Sequence, residues 1–125
     1  MALTIPPPSA GTVPSFGSFA AIPVAHAEGG RTVIELRGEA DLSTRRALSN
    51  VMSQVIELGR GDVVIDLTET TFIDTAIVRT LAIGQQLLDR QGSSLIFRSP
   101  SRLASMVLQV FGMSYLIEAP EEIQL

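Results

Sequence analysis

Three short runs hold most of the groups that could do chemistry. Gly38-Glu39-Ala40-Asp41 leads into Ser43 and Thr44, Asp66 sits at the end of Val63-Val64-Ile65, and Thr70-Thr71-Phe72-Ile73 leads into Asp74-Thr75. A hydroxyl such as that of Thr75 can take a phosphoryl group, which adds about −1.5 to −2 charge at pH 7. An aspartate at the end of a strand, such as Asp66, can be a phospho-acceptor. Paired carboxylates can share acid–base work when their surroundings separate their pKa values. The company these groups would need is missing. All nine basic residues are Arg, so no Lys is available to bind an acyl phosphate on Asp66. Asp66-Leu67-Thr68 also lacks a second acid two positions on, and Asp41 and Asp74 have no apolar pocket visible in the sequence. With no Cys and His26 as the one His, thiol nucleophiles and two-His metal cages are excluded. Gly59-Arg60-Gly61 precedes an apolar run, whereas a dinucleotide fingerprint follows one. The expectation is a protein that is not an enzyme and carries no cofactor or metal.

The elements that must position these runs form one domain. A chain of 125 residues is one domain's length and buries about two thirds of its unfolded surface. With 46% hydrophobic and 18% charged residues, it is not a disordered chain. Its net charge is −4 and its one adjacent basic pair is Arg45-Arg46, so no basic stripe for nucleic acid exists. The apolar run Phe19 to Ala25 holds Pro23 and falls short of the about 20 residues that a membrane span needs. Ala25-His26-Ala27 resembles a cleavage site, but residues 1–27 carry no Lys or Arg. A cytoplasmic protein without membrane contact is expected.

Residues 1–18, with four prolines and no charge, read as a flexible arm, and residues 19–125 as the domain. Phe19 to His26 reads as an edge strand because of Pro23. Glu28-Gly29-Gly30-Arg31 is a hairpin turn. Thr32 to Arg37 reads as a second strand, broken by Gly38 to Asp41. Leu48, Val51, Met52, Val55 and Ile56 form one helical stripe, with Ser43 or Thr44 as N-cap and Gly59 at the end. Val63 to Leu67 reads as a strand buried on both faces, and Thr68 to Ile73 as a connection. Asp74 or Thr75 caps a second helix with Val78, Leu81, Ala82, Gln85 and Leu88 inward, closed by Gly92. Leu95-Ile96-Phe97 is a strand. Ser99-Pro100 starts a third helix, burying Leu103, Ala104, Val107, Leu108 and Phe111. Tyr115-Leu116-Ile117 reads as a last strand, and Pro120-Glu121-Glu122 could open a final helix. This alternation predicts an α/β domain with a mainly parallel sheet, one antiparallel edge strand and flanking helices. In such sheets function sits at the carboxyl ends of the strands. If the second and third strands are neighbours, Asp41, Asp74 and Thr75 share one rim.

Taken together, Gly38-Glu39-Ala40-Asp41, Val64-Ile65-Asp66-Leu67, Phe72-Ile73-Asp74-Thr75 and Gly92-Ser93-Ser94-Leu95 resemble a STAS domain of the bacterial anti-sigma factor antagonist type, over about residues 19 to 118. The resemblance implies a protein-binding switch. Unphosphorylated, such a protein binds an anti-sigma factor, often itself a serine/threonine kinase, and frees a sigma factor. Phosphorylation breaks the complex, and a phosphatase restores it. The resemblance places Thr75 at the phosphorylated hydroxyl, Asp74 at the acid before it and Asp41 at the acid of the neighbouring loop. Glu39, Ser43 and Ile77 join them as candidate partner contacts. The family pattern continues Ser/Thr-Gly-Leu, whereas this chain has Ala76-Ile77-Val78, which places bulk beside Thr75. That departure favours an alternative, a STAS-like module that senses a ligand or scaffolds a complex without phosphorylation. A second alternative is a degenerate receiver-like phosphotransfer domain using Asp66. Beside these roles, Asp41, Asp74 and Thr75 also suit plain helix capping.

Overall fold

A computed structural model describes residues 23–118. The arm at 1–18, the first part of the strand expected from Phe19 and the helix expected at Pro120 lie outside the described residues. The elements are β1 (Val24–Glu28), β2 (Arg31–Ala40), α1 (Leu42–Leu58), β3 (Val63–Ile73), α2 (Thr75–Arg90), β4 (Leu95–Arg98) and α3 (Arg102–Val110), followed by a 3₁₀ turn at Ser114–Leu116. The sheet order is β1-β2-β3-β4. The hairpin β1–β2 is antiparallel, and β2–β3 and β3–β4 are parallel.

That order decides where the helices lie. Each parallel crossover advances one strand in the same direction, and crossovers are right-handed, so the helices fall on one face. The apolar residues of α1, α2 and α3 accordingly join a single core with Ala25, Ile34, Ile65 and Phe97, a row in register across all four strands. The opposite face carries the rows His26, Val33, Val64, Ile96 and Val24, Glu35, Asp66, Arg98. On that face Arg98 donates to Glu28 at 2.8 and 3.3 Å and to Glu118 at 3.3 Å. Arg31 lies 3.4 Å from Glu28 and 3.6 Å from Glu118. The Arg98 hydrogen bond holds the Glu28 carboxyl below its usual range, and the same bond raises the guanidinium pKa further.

Both central strands outrun their expected ends. β2 continues through Gly38-Glu39-Ala40, and β3 continues through Thr68 to Ile73, where a connection was expected. The cause is two register slips, between Glu35 and Arg37 and between Gly38 and Glu39, at each of which β3 carries one extra residue. The extra residues erase the two-residue alternation: beyond Ile65 the buried positions are Leu67, Thr70 and Ile73. Side chains repair the ladder. Asp66 Oδ1 accepts from both the Thr68 amide (3.0 Å) and its hydroxyl (2.6 Å), and the buried Thr70 hydroxyl donates to the Leu36 carbonyl at 2.7 Å.

The third helix also departs from expectation. Ser101, not Ser99, is its N-cap and accepts from the Ala104 amide at 3.1 Å. Ser99 has φ +52°, outside the range usual for a cap. Ala104 and Leu108 are buried, but Leu103 and Phe111 are exposed. The strand expected at Tyr115 to Ile117 is a 3₁₀ turn, after which Ile117 alone bridges to Phe97. No helix among the described residues is long and apolar enough to cross a membrane.

Candidate functional site

The rim is built by the ends of β2 and β3. Ala40 and Ile73 are register partners, and the Asp74 amide donates to the Ala40 carbonyl at 3.1 Å. Neighbouring strands run about 4.8 Å apart, so Asp41 and Asp74 leave the sheet side by side. Both then do the same job. Asp41 is the N-cap of α1 and Asp74 that of α2, each in extended conformation. Ser43 and Thr44, expected as caps, lie inside α1 instead, because the aspartate already stands where β2 ends and can meet the free amides of the first turn.

The two carboxylates are held differently. Asp41 Oδ1 accepts from the Ser43 amide at 2.9 Å and from the Ser43 hydroxyl at 2.6 Å. The Ser43 hydroxyl is the main cause that lowers the Asp41 pKa below its ordinary value. The Thr44 hydroxyl closes the turn on the Asp41 carbonyl at 2.8 Å. Asp74 Oδ1 accepts from the Ile77 amide at 3.1 Å. In both aspartates Oδ1 takes the capping bonds.

Thr75 is exposed at the first position of α2. Thr44, Thr68, Thr70 and Thr80 spend their hydroxyls on nearby oxygens, whereas among the described residues the hydroxyls of Thr32, Thr71 and Thr75 make no such bond. Glu39 and Ser43 are exposed on the same edge. Ile77 is not part of this surface. It is fully buried in the main core, so it cannot touch a docked protein and adds no bulk beside the Thr75 hydroxyl. Its position two residues further round the first turn points it at the sheet.

The sequence reading passed over two apolar contributors. Leu42 and Phe72 flank the caps and stay 62% and 41% exposed, a pair of apolar surfaces beside the carboxylates. An apolar residue directly after a helix cap was the available signal for Leu42. Asp66, the receiver-like candidate, lies midway along β3 with its carboxylate engaged by Thr68, away from the strand end where a phospho-acceptor would need to be reached. Among the described residues no group of three or more His, Asp or Glu is placed to hold a metal ion.

Comparison with known proteins agrees with this architecture. The family model described as Mlab, STAS domain matches residues 25–118. The structure is similar to that of the anti-sigma factor antagonist SpoIIAA in its unphosphorylated form, at 21% identity and TM-score 0.72, covering 80% of this chain and 90% of that one. The phosphorylated form of the Bacillus cell fate determinant SpoIIAA is similar at 21% identity and TM-score 0.67, covering 80% and 93%. An anti-sigma factor antagonist from Mycobacterium paratuberculosis is similar at 17% identity and TM-score 0.73, covering 82% and 88%. No curated protein sequence matches the chain.

Proposed function

Because the chain belongs to the STAS domain family described as Mlab, we propose that it is an anti-sigma factor antagonist acting in the cytoplasm by binding, without catalysis of its own. In this reading the rim of Glu39, Asp41, Ser43, Asp74 and Thr75, flanked by Leu42 and Phe72, is the docking surface. Its partner is an anti-sigma factor, which can itself be a serine/threonine kinase, and docking releases a sigma factor. Phosphorylation of Thr75 ends the complex, and a phosphatase resets it.

One observation carries the reading. The exposed Thr75 hydroxyl has no hydrogen-bond partner among the described residues, and it stands next to a capping carboxylate that the Asp74–Ala40 hydrogen bond holds beside Asp41. The similarity to both the unphosphorylated and the phosphorylated form of SpoIIAA supports a fold that accommodates a phosphate. The burial of Ile77 removes the steric argument for a module that is never phosphorylated.

The test is mass spectrometry of the protein isolated from its own cells, paired with capture of an anti-sigma factor. Phosphate on Thr75, with the unmodified form alone holding the anti-sigma factor, is the expected result. An acid-labile phosphate on Asp66, or an anti-sigma factor bound equally by both forms, would overturn it.

A further inference from the structure

Helices α1 and α2 leave an open groove of about 150 Å³ between them. Its floor is Gly84, against which the methyl of Met52 rests, and a side chain at that position would collide with Met52. Ile56 lines the α1 side, while Ile83 and Leu87 form a ridge on α2 that stays 60% and 40% exposed. Arg45 stands at the end nearest the rim, and among the described residues no carboxylate lines the groove. Arg46 and Arg79 are exposed nearby, Arg79 one helical turn before Ile83. The charge therefore changes sign along one continuous surface. Carboxylates lie at the helix caps, and one turn further on there are guanidiniums and a trough lined by Met52, Ile56, Ile83 and Leu87 together with the hydroxyls of Ser49, Ser53 and Thr80.

From Arg45 to Ile56 the trough runs about 16 Å at 1.5 Å per residue, three turns of helix. Parallel helical walls, an apolar floor and a flanking charge suit an amphipathic helix laid lengthwise. We propose that the α1/α2 groove seats an amphipathic helix of the protein partner, with an apolar side chain against Ile83 and Leu87 and acidic side chains against Arg45 and Arg79. The proposal rests on the partner-binding reading of the rim and names the chemistry of the partner segment that continues past it. An acidic helix is selected because it meets guanidiniums that form no ion pair among the described residues, whereas a basic one would meet like charge.

The experiment places a photo-crosslinking amino acid at Leu87, and separately at Thr75, in the full chain inside its own cells. The crosslinked peptides are then sequenced. The expected result is one partner coupled at both positions, its Leu87-linked segment an amphipathic stretch rich in Asp and Glu. The double substitution Arg45→Glu, Arg79→Glu should then weaken affinity for that partner about tenfold or more, with the melting temperature unchanged. Coupling at Thr75 but not at Leu87 overturns the groove proposal and leaves the rim reading standing. Coupling at neither position overturns both. Coupling at Leu87 to a basic segment or to a second copy of the chain, or an affinity indifferent to the charge reversal, overturns the groove proposal alone.

Discussion

The Asp74 amide donates to the Ala40 carbonyl at 3.1 Å, and this bond aligns the starts of two helices. Asp41 follows Ala40 and caps α1, and Asp74 itself caps α2. The residues that end the strands thus also begin the helices, so β2–β3 pairing sets the position of the rim.

Removal of the second cap should be felt as stability. Asp74→Ala leaves the Ile77 amide without its acceptor and should cost about 1 kcal/mol, the usual size for loss of an N-cap. Asp74→Asn keeps an acceptor oxygen and should stay close to the parent. Urea denaturation of the three proteins separates these outcomes.

Thr75 should separate binding from folding. Thr75→Glu places a charge on an exposed hydroxyl position, so stability should move by no more than about 0.5 kcal/mol. Affinity for the proposed anti-sigma factor partner should fall roughly a hundredfold or more, because the new charge must be desolvated beside Asp41 and Asp74. Thr75→Ala should bind like the parent and escape phosphorylation. Titration calorimetry on the three proteins measures it.

Placing glycine at Ile77 should harm the protein. Ile77 is fully buried, and losing its side chain costs about 2–5 kcal/mol, as large-to-small core changes do. Glycine within a helix adds about 1 kcal/mol. Ile65→Ala, buried in β3 between Ile34 and Phe97, should fall in the same 2–5 kcal/mol range. A loss below about 0.5 kcal/mol at either position, typical of surface sites, would contradict the packing.

Asp41 and Glu28 should each contribute modestly to the acid limb of stability, because both are exposed and screened by solvent. Both carboxyls are held below their ordinary values of 3.8 and 4.5, Asp41 by the Ser43 hydroxyl and Glu28 by Arg98. A carboxyl whose folded pKa is depressed binds fewer protons folded than unfolded, so its stabilisation is present above its ordinary pKa. It is lost as pH falls through the lower folded value. Melting temperatures measured from pH 6 down to pH 3 should decline across this window. Asp41→Asn and Glu28→Gln should each flatten the decline.

Much of the architecture was legible because its signals are local. The stripe from Leu48 to Ile56 and the glycine at 59 mark α1, the run from Val63 to Leu67 marks a buried strand, and the order of elements implies a parallel sheet with an antiparallel edge. Asp74 declared itself as a cap by type and position. The ends of β2 and β3 were not legible, because each extra residue in β3 shifts the burial phase. Tyr115 to Ile117 has strand composition, yet the turn after Gly112 leaves only Ile117 able to pair.

The sequence by itself determined the alternation of strands and helices and the exclusion of thiol and lysine chemistry, because residue types and periods act over a few neighbours, whereas Asp41 and Asp74 meet only through the pairing of β2 with β3. Only the tertiary structure decided which side of the first turn of α2 faces inward. Ile77 and Thr75 are two residues apart, which on a helix is about 200° of rotation, so docking α2 on the sheet buries one and presents the other. Which residues are within reach of a partner depends on that docking, and linear spacing carries no record of it.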